Sequence, residues 1–207
     1  MRTFLSLTVA ATAGAALLLA ATTTSTEAGA PAPAPAAAPF ATDYDIDAGH
    51  STVMFRCKHL DLSYVWGRFD KFSGAFTLAD DASESSVEIV IDAASVNSNS
   101  DGRDKHLRGP DFFAAKEFPD MTFQSTKVSA GKDDVFTITG DMTIRGKTTE
   151  VTFDVQKIGE ADTRMGRRAG FEGSFVVDRM AFGIDAYGEM LGHDVTMTFA
   201  IEGVQPK

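Results

Sequence analysis

Residues 195–202 read VTMTFAIE, and every second residue of the stretch is apolar. In a β-strand, successive side chains point to opposite faces, so Val195, Met197, Phe199 and Ile201 would lie together on one face. The residues between them would form a mostly polar face. A strand of this kind is typical of an antiparallel sheet that covers a core on one side.

The same alternation recurs through most of the chain after residue 50. It is clear over Val53–Lys58, Val87–Asp92 and Val151–Gln156. β-branched and aromatic residues predict further strands at Val65–Leu78, Met121–Ser129, Val135–Ile144 and Gly170–Val177. Turn-forming residues separate them at 80–83 and 131–134, and Arg145-Gly146-Lys147 predicts a tight hairpin turn. About eight strands at this spacing predict a sandwich or a barrel.

One segment, at about residues 101–117, interrupts the strand pattern. Ser100 or Asp101 could cap a short helix, and Pro110 could begin a second helix in its first turn. The phenylalanines of the segment would anchor these helices on the sheet; they are Phe112, Phe113 and Phe118. Such an excursion is either a lid at the mouth of a barrel or the cover of a sheet edge.

The N-terminal region predicts export. Residues 1–30 carry one early charge, Arg2, an apolar stretch and then small residues, as in a secretory signal peptide cleaved near residue 21 or residue 30. A retained membrane anchor is the alternative, because the apolar stretch approaches the length of a membrane span. Alternating Pro and Ala make residues 31–40 an extended spacer. Residues 41–207 would then form one domain.

Charge and cysteine content exclude several classes of function. The formal net charge is −10, so the surface would repel nucleic acid and would not dock on anionic lipids by charge alone. Cys57 is the single cysteine, which excludes an intrachain disulfide. We interpret Cys57 as a small buried apolar residue of a strand.

The aromatic composition suggests a dry interior. The chain has sixteen phenylalanines but only three tyrosines and one tryptophan, and its eight methionines add flexible apolar side chains. Glycines also lie within predicted strands, where they often mark bends or close approaches. An eight-stranded barrel of this composition could hold one small apolar ligand or could be filled by its own side chains.

The sequence carries no recognisable catalytic motif. The four histidines, His50, His59, His106 and His193, lie on separate segments and form no HExxH pair, although two or three could still converge on a metal. There is no Gly-x-Ser-x-Gly elbow, P-loop or dinucleotide fingerprint. Asp104 and Asp178 each adjoin an arginine in the sequence, and we expect them to hold backbone groups or structural ion pairs.

Several segments of the chain, in the same order as in the family, resemble the YceI-like family. The block RDKHL at 103–107 with Phe112-Phe113 is the most diagnostic, and Tyr44 stands where many relatives carry Trp. The other matching segments are YDIDAGHSTVMF at 44–55, His59-Leu60, GRFDKFSG at 67–74, FPDMTFQS at 118–125, GDMTIRG at 140–146 and DRMAFG at 178–183.

The resemblance implies an all-β fold, an eight-stranded antiparallel lipocalin-like barrel located in the periplasm or outside the cell. It implies a bound polyisoprenoid or related lipid, such as a quinone tail or a fatty amide, with no catalytic residues, metal or other cofactor. The protein would carry, store or scavenge this lipid. A homodimer, and a transient contact with a membrane or a membrane protein during lipid exchange, are further expectations.

We expect the ligand to contact the apolar strand faces and the aromatic residues of the excursion. A one-residue error in strand register would turn a whole predicted face outwards. The predicted ligand-binding residues are Val53, Phe55, Phe76, Ile89, Phe112, Phe113, Phe123, Ile138, Phe153, Phe175, Val195 and Phe199.

Two other classes of function stay open at this point. A lipid-modifying enzyme would use His50, His106 or His193 of the lumen as acid–base groups. An interaction module would have a filled barrel and would meet a partner protein through its acidic exterior.

The signal peptide gives a first testable prediction. We expect the exported protein to begin near residue 21 or residue 30, because small residues follow the apolar stretch at both places. N-terminal sequencing of the protein from its native host tests this. A membrane-bound product that still begins with Met1 would support the retained anchor instead.

Overall fold

The computed structural model describes residues 44–206. The predicted signal peptide and spacer lie outside these residues. Within the described range the chain forms eleven β-strands, one α-helix and three 3-10 helices. The strands are β1 (Tyr44–Ile46), β2 (Thr52–His59), β3 (Ser63–Phe69), β4 (Phe72–Thr77), β5 (Ser86–Asp92), β6 (Val96–Asn97), β7 (Asp120–Ala130), β8 (Val135–Ile144), β9 (Lys147–Thr163), β10 (Gly166–Asp178) and β11 (Leu191–Val204). The α-helix, α1, is Asp101–Leu107, and the 3-10 helices are Ala82–Glu84, Ala93–Ser95 and Arg179–Phe182.

Eight of the strands form a closed antiparallel barrel, as the sequence predicted. The hydrogen-bonded order runs β1-β4-β5-β7-β8-β9-β10-β11, and β1 pairs with both β4 and β11. Tyr44 lies opposite Phe76 of β4, and Ile46 lies opposite Gly203 of β11. β2 pairs with β11 on the same edge as β1, opposite β10, and β3 and β6 extend the sheet beyond β2. None of the helices in the described range is long and apolar enough to cross a bilayer.

The period-two pattern correctly predicted which face of β11 is buried. Met197 and Ile201 are buried, and Val195 and Phe199 pack against the same core. On the neighbouring strand β10, Phe175 pairs with Met197. Inward apolar rows of this kind line the barrel.

Glycines within the strands make room for phenylalanine rings of the neighbouring strand. Gly67 lies directly opposite Phe55, and Gly173 lies directly opposite Phe199. A Cβ atom at Gly67 would lie 2.3 Å from Cζ of Phe55, and one at Gly173 would lie 2.7 Å from Cζ of Phe199. The rings therefore lie over the glycine backbone, an arrangement in which an aromatic side chain covers a strand glycine.

The predicted single strand at Val65–Leu78 is wrong, because the chain bends at Asp70-Lys71. The backbone amides of these two residues donate to the carbonyl and the hydroxyl of Ser95, each at 3.1 Å. β3 before the bend pairs with β2 and β6, whereas β4 after it pairs with β1 and β5. The bend thus transfers the chain from one set of neighbouring strands to another.

The predicted first helix is present as α1, but the second helix at Pro110 is not. After α1 the amides of Phe113 and Ala115 donate back to the carbonyls of Leu107 and Arg108, at 3.0 Å each. These bonds cap the end of α1 and fold the chain into successive turns. Ala114 has a positive φ of 47°, which a continuing helix does not allow.

Helix α1 is fastened to the sheet by Asp104 of its motif and by Arg108, the residue that follows the motif. The buried carboxylate of Asp104 accepts from the backbone amide of Ser98 at 2.7 Å. Arg108 donates to the carbonyls of Ala94 and Val96, at 2.7 Å and 2.8 Å. Asp104 and Arg108 therefore have a structural task, which is to hold the helix against residues 94–98.

The close approach at Gly74 gives a prediction for stability. A Cβ atom there would lie 2.1 Å from the backbone oxygen of Glu88, so Gly74→Ala must displace β5. We expect Gly74→Ala to lower the free energy of unfolding by about 1–3 kcal/mol, the usual cost of overpacking. The matched control is Gly159→Ala in β9, where the Cβ atom meets nothing within 4 Å. That change should be neutral or stabilise by up to about 1 kcal/mol. Urea unfolding of both variants measures the difference, and equal stabilities would contradict it.

Candidate ligand-binding lumen

The barrel interior contains two neighbouring chambers, which share Met197 in their walls. The inner chamber is lined by apolar side chains and by a few hydroxyl-bearing residues, among them Thr77 and Ser86, and no titratable residue lines it. Its cavity volume is about 120 Å³. The outer chamber is larger, at about 450 Å³, which lies within the range of about 300–1,000 Å³ common for small-molecule sites.

Phenylalanine rings occupy much of the inner chamber. Phe153 stacks on Phe175 with ring centroids 4.3 Å apart and an interplanar angle of 11°. Phe123 and Phe199 contact Phe153 at 5.4 Å and 5.9 Å. The inner chamber is therefore a narrow space between phenylalanine rings, with no titratable group in its wall to orient a ligand.

The outer chamber lies beneath α1 and the loop between β10 and β11. Three aromatic side chains meet at its opening. His106 of α1 contacts the rings of Phe112 and Tyr187 edge-on, at 5.0 Å and 5.4 Å, and Phe112 and Tyr187 are parallel at 6.0 Å. Tyr187 has a positive φ of 59°, unusual for an aromatic residue. This aromatic cluster joins the helical excursion to the facing loop, so the excursion covers the mouth of the barrel.

All twelve predicted ligand-binding residues line one of the two chambers, so the predicted strand faces point inwards. Whether they contact a ligand stays a prediction. The outer chamber contains Phe55, Phe112, Phe113 and Val195. The inner chamber contains Val53, Phe76, Ile89, Phe123, Ile138, Phe153, Phe175 and Phe199.

Sequence reasoning missed the contribution of the β10–β11 loop to the outer chamber. Phe182, Ile184, Tyr187 and Met190 of this loop line the chamber, yet no period-two pattern marks them. The sequence feature that could have identified these residues is the apolar content of DRMAFG at 178–183 and of the residues that follow it. The buried Arg179 fixes the loop, because its guanidinium donates to four backbone carbonyls, those of Ile184, Ala186, Leu191 and Gly192.

Cys57 is half-buried and lines the outer chamber, in line with its interpretation as an apolar strand residue. Burial raises the pKa of its thiol, an effect that the nearby Arg179 partly offsets. The thiol donates to the carbonyl of Gly192 at 3.4 Å. Cys57 is therefore a weakly nucleophilic wall residue, and it reports on the contents of the chamber.

A polar network, which we call the polar plug, lies at the opposite end of the barrel and comprises Tyr44, Lys157, Glu160 and Arg167. The carboxylate of Glu160 accepts from Lys157 at 2.6 Å, from the Tyr44 hydroxyl at 2.7 Å and from Arg167 at 2.7 Å. These donors, Lys157 first, lower the pKa of Glu160 from 4.5 to about 2. The Tyr44 ring stacks on Phe76 at 4.8 Å. Tyr44 therefore links the polar plug to the apolar wall of the inner chamber.

The histidines do not form a common site. His59 and His106 line the outer chamber, whereas His50 and His193 line neither chamber. His106 pairs with Asp111 at 3.1 Å and His50 with Asp47 at 2.9 Å. These positions separate the three histidines that a lipid-modifying enzyme was expected to use.

Within residues 44–206, one group of side chains has spacing compatible with a metal: Asp47, His50 and Glu202. Arg168 donates to the carboxylates of both Asp47 and Glu202. The bonds from Arg168 and then from His50 lower the pKa of Asp47 to about 2. The guanidinium thus takes the position of a cation, and we assign this group a structural ion-pair role.

Comparison with known proteins agrees with this architecture. The sequence profile of the YceI-like domain matches residues 44–203. A UPF0312 protein of Pseudomonas aeruginosa is 39% identical over 169 residues, covering 80% of this chain and 88% of the relative. Protein YceI of Escherichia coli O17:K52:H18 is 38% identical over 171 residues, covering 81% of this chain and 89% of the relative.

Solved structures share the fold. Burkholderia cenocepacia BcnA superposes with a TM-score of 0.70 at 25% identity, covering 76% of this chain and 98% of BcnA. A polyisoprenoid binding domain from Saccharophagus degradans superposes with a TM-score of 0.62 at 17% identity, covering 80% of this chain and 99% of that domain. At this identity the second similarity concerns the fold alone.

The polar plug gives a prediction for pH dependence. The pKa of Glu160 is about 2 in the folded protein against its usual 4.5, so its contribution to stability is complete above pH 4.5 and is lost as the pH falls towards 2. Glu160→Gln should therefore destabilise the protein at neutral pH, and its difference from wild type should shrink between pH 4.5 and pH 2. Urea unfolding across this range measures it. Glu150→Gln gives the baseline for removing an exposed carboxylate from the same strand. A difference that does not depend on pH would contradict the assignment.

Proposed function

Because the chain belongs to the YceI-like family, we propose that its lumen binds one long apolar lipid. The ligand would be a polyisoprenoid, or a lipid with a comparable tail such as a quinone or a fatty amide. The polyisoprenoid binding domain of Saccharophagus degradans, which has the same fold, supports this class of ligand.

The observation that carries the proposal is the lining of the two neighbouring chambers. The inner chamber has an apolar wall with no titratable residue, and Met197 belongs both to its wall and to that of the larger outer chamber. A hydrocarbon chain that passes from one to the other gains about 0.8 kcal/mol for each buried methylene, so binding can be tight without polar recognition. The narrow inner chamber would widen as its phenylalanine rings change rotamer.

We infer binding rather than catalysis. A reaction on the buried tail would need an acid or a base beside it, and the inner wall has no titratable residue to act as either or to activate its hydroxyl groups. The predicted signal peptide supports an extracytoplasmic location, in the periplasm or outside the cell, where a closed lumen would shield an insoluble lipid from water during carriage, storage or scavenging.

Native mass spectrometry of the protein purified from its own host tests the proposal. We expect one lipid per barrel, with a mass that fits the polyisoprenoid or a related class. Cys57 gives a second readout, because a ligand in the outer chamber should slow alkylation of this single thiol. A protein that is empty from the host, takes up no added polyprenyl lipid and shows no protection of Cys57 would contradict the proposal.

A larger side chain in the outer chamber should weaken lipid binding. Val195→Trp places an indole in a space that has room for it, and it displaces part of the ligand. Losing two or three buried methylenes, at about 0.8 kcal/mol each, should lower lipid affinity by about tenfold or more. The control is Thr152→Trp, on the exposed face of β9 next to the inward Phe153. Lipid titration of both variants is the measurement, and equal affinities would show that the ligand does not occupy this chamber.

A further inference from the structure

Six exposed apolar side chains lie on the β2–β3 hairpin and on the β10–β11 loop, beside the outer chamber. They account for most of the large apolar side chains that the described residues expose, nine in all. Leu62 is 84% exposed, the most of any of them. We call this set the mouth patch: Leu60, Leu62, Tyr64, Trp66, Tyr187 and Met190.

Turn geometry does not explain the leucines of the mouth patch. Leu60, Asp61 and Leu62 form the tip of the β2–β3 hairpin, beyond the pair of His59 and Ser63. Leu60 and Asp61 have positive φ values of 52° and 55°, a conformation that favours glycine or asparagine. Neither leucine side chain lines a chamber. The leucines thus serve neither the turn nor the core.

The mouth patch is continuous with the opening of the lumen. The backbone amide of Leu60 donates to the carbonyl of Met190 at 2.8 Å, which joins the hairpin tip to the β10–β11 loop. Met190 and Tyr187 line the outer chamber and are also exposed. A ligand that leaves the outer chamber between them would pass directly onto the patch.

Arg56 adds a positive charge that lacks a counter-ion. Its guanidinium lies 4.6 Å from the ring centroid of Tyr64 and 5.5 Å from that of Trp66. Its Nε is buried without a hydrogen-bond acceptor, and no carboxylate within residues 44–206 forms an ion pair with it. Lys58, by contrast, pairs with Asp61 at 2.8 Å. A guanidinium is well suited to phosphate oxygens, and this one is unpaired in a protein of net charge −10.

We propose that the mouth patch docks on the phospholipid surface of a membrane, so that lipid passes between bilayer and lumen. Leu60 and Leu62 insert among the acyl chains, Tyr64 and Trp66 lie in the interfacial region, and Arg56 binds lipid phosphates. The order along the hairpin fits these layers. Trp66 lies four residues from Leu62, and its partner Arg56 lies four residues from Leu60, about 13 Å at the rise of a strand. Tryptophan and tyrosine favour this depth.

A bilayer fits the mouth patch better than a second copy of the chain does. In a two-fold dimer the same patch meets itself, which would bring two Arg56 guanidinium groups and two Lys58–Asp61 pairs into one apolar interface. A bilayer instead supplies phosphates for Arg56. Because the whole protein is acidic, insertion of the leucines and aromatic rings would drive docking, and net charge would oppose it on anionic membranes.

The single tryptophan of the chain, Trp66, lies inside the mouth patch and provides the test. The full exported protein is mixed with vesicles of phosphatidylcholine that carries bromine on its acyl chains. We expect the emission of Trp66 to shift to shorter wavelength and to be quenched. The effect should persist at about 1 M NaCl, where screening reduces charge attraction. Unchanged emission would overturn the proposal.

Two variants and a matched control locate the contact. The double change Leu60→Ser with Leu62→Ser should weaken vesicle binding by about tenfold or more. Arg56→Gln should weaken it by about fivefold. The control, Ile158→Ser with Met165→Ser, removes two side chains that are 63% and 61% exposed on β9 and in the turn that follows it. Thermal unfolding checks that all variants fold. Equal loss of binding in the control would overturn the proposal. So would a wild-type protein that binds no vesicles and forms a dimer through the patch, if the leucine variant were monomeric.

The docking proposal presumes the proposed lipid-binding function, and separate readouts distinguish their failures. Trp66 reports docking, and alkylation of Cys57 reports filling of the outer chamber. With vesicles containing a polyprenyl lipid, wild type should show both signals. The leucine variant should lose the first signal and fill more slowly, yet it should fill normally from detergent. A Trp66 signal without protection of Cys57 under any condition would leave docking intact and contradict the lipid-binding function.

Discussion

The interior depends on three residues that close the barrel. Strand β1 spans only Tyr44–Ile46, yet it pairs with β4 on one side and β11 on the other. Without it, β4 would present an open edge, and water would reach both the unpaired backbone groups and the apolar faces of the wall. The side chain of Tyr44 seals the same place, because its ring stacks on Phe76 and its hydroxyl donates to Glu160.

Closure also explains why the wall combines glycine with phenylalanine. A small barrel curves strongly, and large rings on every inward position would collide across it. At Gly67 and Gly173 the absence of a Cβ atom lets the rings of Phe55 and Phe199 lie against the backbone of the neighbouring strand. The remaining space lies among rings and methionine side chains, which change rotamer more easily than a backbone moves. The interior is therefore closely packed and still adjustable.

The sequence predicted features that depend on neighbouring residues and missed those that depend on distant ones. The inward face of Val195–Ile201 follows from alternation within one strand. The turn at Arg145-Gly146 follows similarly, since both residues have positive φ, as a tight hairpin requires. The bend at Asp70-Lys71 was missed because Ser95, far along the chain, makes it. The chamber wall at Tyr187 and Met190 was missed because Arg179 holds an irregular loop whose sequence has no periodicity.

The two ends of the barrel differ in polarity: charged groups lie at one end and aromatic rings at the other. At the β1 end, a carboxylate with three cationic or hydroxyl donors closes the wall, and an apolar chain that left there would have to displace charged groups from their partners. At the other end, His106, Phe112 and Tyr187 contact one another only through ring faces and edges, which can separate and reform at little cost. An apolar ligand of the proposed class would therefore exchange at the end where the wall and the outer surface are apolar. A tail that entered there would reach the phenylalanine-lined inner chamber last, so its apolar terminus would be the most deeply buried part of the ligand.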